Sequence, residues 1–186
     1  MQIPLSGERI AFARLFPGRQ IGIYKYFSNV HEAPPNAAIL ASQEFIFIVT
    51  LSRYVITKGI FKIFAFKPLT EKEVDALPPS FTQDIVDINV CTIFYVNDIK
   101  PQRKASPVEC IGLEPSAVWQ EQHVIKRIED YLENRKNFSV ELHKIILSEN
   151  DIRYLAGPYL RWDGVREEFY RITEKQLNSE RMKYKK

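Results

Sequence analysis

Between Arg9 and Phe16 the residues Ile10, Phe12, Arg14 and Phe16 alternate with smaller ones. After Pro17-Gly18 the run from Gln20 to Tyr26 resumes the same period, which predicts a hairpin at the opening of the fold. Glu44 to Leu51 is apolar on both faces, the pattern of a central strand, and Asn36 stands where it would cap a short Ala-rich turn before it. Tyr54 to Thr57 and Ile60 to Phe66 are β-branched and aromatic around Lys58-Gly59, which predicts a second hairpin with Gly59 at positive φ. Val90 to Val96 and Val108 to Leu113 read as further strands, separated by a basic loop with Lys100, Arg103 and Lys104.

The period then changes. From Pro115 or Ser116 to about Asn134, Val118, Ile125, Ile128 and Leu132 fall on one stripe, flanked by Val124 and Tyr131, predicting the main helix. Ser148 with Asp151 three residues on reads as a capping box, with Gly157-Pro158 as the stop of a two-turn helix. Trp162-Asp163-Gly164-Val165 reads as a tight turn, and the charges Arg166, Glu167 and Glu168 fit either strand or helix afterwards. The fold class expected is α+β: a twisted, mostly antiparallel sheet, open or partly closed into a barrel-like shape, covered by one main helix and followed by a short helical or mixed appendage. The chain has 186 residues and no repeat or linker-like shift, which gives one domain over residues 1–172 and a basic tail over 173–186.

Composition narrows the classes. With 45% hydrophobic and 26% charged residues, the chain is neither disordered throughout nor a coiled-coil rod. Residues 171–186 carry six Lys/Arg against two Glu, so the tail alone holds +4 of a net +3 and the remainder is −1. A phosphate-tracking surface needs basic side chains on a folded face, so no direct nucleic-acid partner is expected. Arg53, Lys58 and Lys62 interrupt the most apolar window, Phe45 to Phe66, too often for a membrane span. The first eight residues lack the basic and apolar regions of a signal peptide, and Cys91 and Cys110 lack metal-type spacing; a cytoplasmic protein with reduced thiols is expected.

The familiar catalytic signatures are missing: there is no Gly-rich phosphate loop, no G-x-S-x-G and no H-E-x-x-H. His31, His123 and His143 have no second ligand at helical spacing, so neither metal nor cofactor is expected. Glu121 falls inside the apolar arc of the main helix. The ordinary explanation is the positive end of the helix dipole with a nearby Arg; the sharper one is a desolvated carboxylate serving as general acid or base. Trp119 and His123, at i and i+4, would touch on the adjoining face, with Arg127 and Asp130 continuing the row as a recognition stripe or as a cover over the sheet edge. Glu71, Glu73, Asp75, Asp84 and Asp87 surround Pro78-Pro79 with only Lys72 opposing them, a local charge of −4 suited to a basic partner or merely to solubility.

Several segments together carry a family likeness: Ile3-Pro4-Leu5 with Gly7, Ala11 to Arg14, Gly59 to Ile63 with Pro68-Leu69, Pro78-Pro79-Ser80-Phe81, and Gly112 to Trp119 through His123 to Arg127 and Ile128. In their order the chain resembles, over about residues 3 to 138, the bacterial immunity protein 26 family, whose name is shared with a small phosphotriesterase-like group. It departs from that pattern at Phe61, in place of a tryptophan, and Phe64, in place of a glycine; the extension after Asn137 is unmatched. The resemblance implies a protein made beside a secreted polymorphic toxin, which binds the cognate toxin domain and blocks it. On that expectation the partner is a toxin domain, with a nuclease as one case, and the binding candidates are the five acids above with Trp119 and His123. The alternative is a hydrolase of phosphotriester-like esters using Glu121 and His123. The motifs are turn, core and helix-start features, so they carry over no catalytic residue, and the residues set no expectation for self-association.

Overall fold

The structure is a computed structural model and describes residues 1–96, 102–157, 160–163 and 168–183. Part of the basic loop, most of the turn after Trp162 and residues 184–186 lie outside them. The fold is α+β, with a curled, half-barrel main sheet.

A strand not anticipated from the sequence, β1 (Gln2–Pro4), pairs antiparallel with β2 (Arg9–Leu15), which forms the expected hairpin with β3 (Gln20–Asn29) through the turn at Pro17–Arg19. Asn36 caps α1 (Ala37–Ala41) by accepting from the Ala38 and Ile39 amides, and the chain enters β4 (Phe45–Leu51). Register shifts between Ala11 and Ala13, and between Ile23 and Tyr24, bend β2 and β3 and help to curl the sheet. Both faces are covered. Ile3, Ile21, Ile23, Leu51 and Phe61 share one core, while Phe12, Tyr24 and Leu40 form a second. Gly22 is required where the sheet is tightest, since a Cβ there would lie 2.7 Å from the Phe45 ring.

The second hairpin is not formed. Residues Arg53–Thr57 are helical (α2), with Val55 fully buried in the main core. The segment after Gly59, which does take φ +60, is irregular apart from a bridge between Lys62 and Gln2. Burial of Val55 and Phe61 outweighs the β-propensity of their neighbours. Thr70 then caps α3 (Glu71–Asp75) through a complete capping box with Glu73.

A second sheet follows, ordered β7–β6–β5–β8, from β5 (Ser80–Gln83), β6 (Cys91–Phe94), β7 (Arg103–Ala105) and β8 (Glu114–Pro115). Its small core holds Phe81, Cys91, Ile93 and Cys110. β7 occupies part of what reads in the sequence as a loop, whereas Val108 to Leu113, expected as a strand, is a 3-10 turn (Pro107–Cys110) and a bend. After Ser116-Ala117 the chain crosses into the main sheet as β9 (Val118–Trp119), parallel to β4. The main helix, α4 (Glu121–Leu132), therefore starts later than the apolar stripe suggests. Val118 is exposed, and α4 buries Val124 and Ile128 together with Asp130.

Beyond it come α5 (Phe138–Leu142), capped by Asn137, and α6 (Glu149–Ala156), which has the expected Ser148–Asp151 capping box. β10 (Leu160–Asp163) pairs with β11, the strand that the described residues Glu168–Arg171 form in the segment left open between strand and helix. The expected tail contains a helix, α7 (Glu174–Lys183). Among the described residues no helix is long and apolar enough to cross a membrane.

Candidate functional site

The five acids of the −4 region divide between two places. Glu71, Glu73 and Asp75 lie on α3, where Glu73 is committed to the main sheet: its carboxylate accepts from Arg14 Nη1 at 2.7 Å and stands 3.7 Å from Lys67 Nζ. The Thr70 amide and hydroxyl, with Arg14, hold the Glu73 carboxyl down at a pKa of about 2. Asp84 and Asp87 belong to the loop joining β5 and β6.

That loop is braced by its own carboxylates. Asp84 Oδ1 accepts from the amides of Val86 (2.8 Å) and Asp87 (3.0 Å), which keeps its carboxyl below the usual range; Asp87 Oδ1 accepts from the Asn89 amide at 3.1 Å. The Asp84 amide donates to the Val90 carbonyl at 2.9 Å and closes the loop. This Asx-turn geometry lifts two aliphatic side chains to the tip, and Ile85 and Val86 are 97% and 94% exposed. Isolated exposed aliphatics are ordinary, but here two stand in succession on a hydrogen-bonded turn, and among the described residues nothing covers them.

Beside the tip lies a groove of about 300 Å³, with Phe81, Asp84, Ile85, Ile88, Leu142 and Ile146 among its walls. Gln83 fixes its two sides relative to each other. Its side-chain amide donates to the carbonyls of Ile88 (2.6 Å) and Ile146 (2.7 Å), and its oxygen accepts from the Ile146 amide at 2.9 Å. Leu142 and Ile146 are 66% and 58% exposed, so the apolar strip continues from the loop onto the end of α5 and the segment after it.

No family model, curated protein or solved structure matches this chain.

The stripe expected on the main helix is dismantled by the fold. Trp119 is in β9, not on the helix, and is 3% exposed, so it neither touches His123 across a helical turn nor offers a surface to a partner. Arg127 is not a solvated neighbour. It grips Glu114 of β8 with both arms, Nη1 to Oε2 at 3.0 Å and Nη2 to Oε1 at 2.5 Å, and its guanidinium lies 4.0 Å from the Phe47 ring centroid and 5.1 Å from that of Trp119. Asp130 is buried, accepting from Lys126, Arg135 and Asn137, with Lys126 the main cause of a carboxyl held below its ordinary range.

Glu121 and His123 also separate. Glu121 is the first residue of α4, half-buried at the positive end of the helix, which matches the dipole explanation. His123 is exposed two positions on, about 200° around the axis, so the two side chains leave the helix on opposite sides. Among the described residues no three His, Cys, Asp or Glu groups converge in a way that could hold a metal ion. Cys91 and Cys110 are free, buried neighbours, and burial pushes the Cys91 thiol up to about 12.

Sequence reading found the acidic residues of the loop but not the aliphatic tip between them. The signal was present in the order Asp84-Ile85-Val86-Asp87, where two carboxylates bracket two residues that a short turn cannot bury.

Proposed function

We propose that this chain is an immunity protein: a binding module that caps a cognate bacterial toxin domain through the β5–β6 loop and the groove beside it. The observation that carries the binding role is the pair Ile85-Val86, nearly fully exposed on a turn held by Asp84 and Asp87. A rigid apolar tip binds without an ordering cost, and carboxylates around it steer a basic surface toward it. The resemblance to the immunity protein 26 family supplies the toxin as the partner. A nuclease fits the charge, because its substrate cleft is basic and the loop's carboxylates would occupy the place of phosphates.

A stable complex needs roughly 800 Å² per side, more than the tip alone, so the contact extends over Leu142 and Ile146. The test is co-expression in bacteria with the toxin domain encoded beside this gene, followed by pull-down. Wild-type chain should restore growth and co-purify with the toxin, whereas Ile85→Asp/Val86→Asp should restore neither while melting at the wild-type temperature. Continued killing with no complex would overturn the proposal. Rescue undiminished by the double substitution would move the interface elsewhere and overturn the assignment of the loop.

A further inference from the structure

A cavity of about 300 Å³ lies between β2, β3, α1 and the irregular chain at residues 63–69, away from the loop assigned to the toxin. Its walls include Ala13, Leu15, Tyr24, Leu40, Phe64 and Leu69. They are held in place before any ligand arrives. The Phe64 ring packs edge-on to Phe12 at 5.6 Å, and Tyr24 packs on Phe45 at 4.7 Å. Arg14 Nη2 reaches the Pro68 carbonyl at 3.4 Å, and the Lys62 carbonyl accepts from the Gln2 amide at 2.8 Å, tying both ends of the covering segment to the sheet. The volume is that of about ten waters at liquid density, at the small end of the range of ligand sites.

The charged side chains of the lining stand together beside Glu73. Arg14 and Lys67 line the cavity, and the Tyr24 hydroxyl bonds to the Arg14 guanidinium. The acid beside them, Glu73, is shared by both cations, so the three charges sum to +1. A guanidinium carries five N–H donors, more than Glu73, Pro68 and Tyr24 use. An apolar chamber whose charged lining consists of donors with net positive charge selects an apolar body with an anionic head.

We propose that this cavity is a binding site for a small amphiphilic carboxylate, its apolar body against Leu15, Leu40 and Phe64 and its head at Arg14 and Lys67. The site is independent of toxin binding: it shares no residue with the loop or groove described above.

The experiment is calorimetric titration of the full chain with octanoate, octanol and octylamine. Octanoate should bind once per chain, about tenfold or more tighter than octanol, with octylamine weakest. Lys67→Glu, on the half-exposed rim and clear of the core, should weaken octanoate by about tenfold and leave octanol unchanged. Ala37→Phe, which fills the wall contributed by α1, should weaken both. Absence of octanoate binding would overturn the site, as would octanoate affinity indifferent to Ala37→Phe. Octanol binding as tightly as octanoate, or octanoate indifferent to Lys67→Glu, would overturn the carboxylate assignment.

Discussion

Removing either partner of the Arg127–Glu114 grip tests whether the two sheets are joined by one strong polar contact. Arg127 and Glu114 side chains are 11% and 26% exposed, and their two parallel bonds measure 3.0 and 2.5 Å. Hydrogen bonds to charged groups are worth about 1.5–3 kcal/mol net, and the stacking of the guanidinium on Phe47 and Trp119 adds about 0.5–2 kcal/mol. Glu114 retains some water, which keeps the cost of stranding it at the low end. Arg127→Met should therefore cost about 3 kcal/mol and Glu114→Gln about 2 kcal/mol. The double variant should cost about 3 kcal/mol, no more than Arg127→Met alone, for a coupling near 2 kcal/mol. The measurement is urea unfolding of all four proteins at pH 7, comparing midpoints at equal slope. Thermal melting provides a check, since about 3 kcal/mol corresponds to roughly 6–12 °C at this chain length. Costs that add to within about 0.5 kcal/mol would refute the grip as a unit.

Three further outcomes follow from the geometry. Gly22→Ala should destabilise by about 1–3 kcal/mol in the same urea assay, because the new methyl meets the Phe45 ring at 2.7 Å and the Phe16 ring at 3.1 Å. Glu73 has a folded pKa of about 2 against an ordinary 4.5, so its contribution is full above the ordinary value and lost as pH falls through the window toward about 2; Glu73→Gln should flatten the acid limb of a stability–pH profile there, read by thermal melting. Cys91, with its thiol pushed up to about 12 and fully buried, should resist labelling by a disulfide reagent at pH 8 in the native protein and react on unfolding.

Strands β2, β3 and β4 were legible because their own residues alternate or run apolar, and the caps at Asn36 and Ser148 are local signals that act locally. The misreadings share a different cause. β8 and β9 are two residues each and exist only because Phe81 and Leu51 offer backbone partners far away in sequence. Without them, Val118 and Trp119 extend the helical stripe of α4 convincingly. Tyr54 to Thr57 likewise carries strand-type side chains, yet the fold needs Val55 pointed into the core one turn after β4 ends. Charge was legible in number and not in role. Arg127 and Asp130 look like solvated helix residues until Glu114 on one side, and Arg135 and Asn137 on the other, are brought to them by tertiary structure.

The late arrival of β9 at the edge of β4 has a consequence for how the protein is made. Leu51 leaves the ribosome long before Trp119, and residues 52–117, including the whole second sheet, must be synthesised in between. Through that interval the end of β4 at Thr50 and Leu51 lacks its β9 partner, an unpaired edge of the kind that invites pairing with a neighbouring chain. A nascent chain stalled just before residue 118 should therefore be the species most dependent on chaperones, and the slow step of refolding should be closure of this long-range parallel pair rather than formation of the N-terminal ladder.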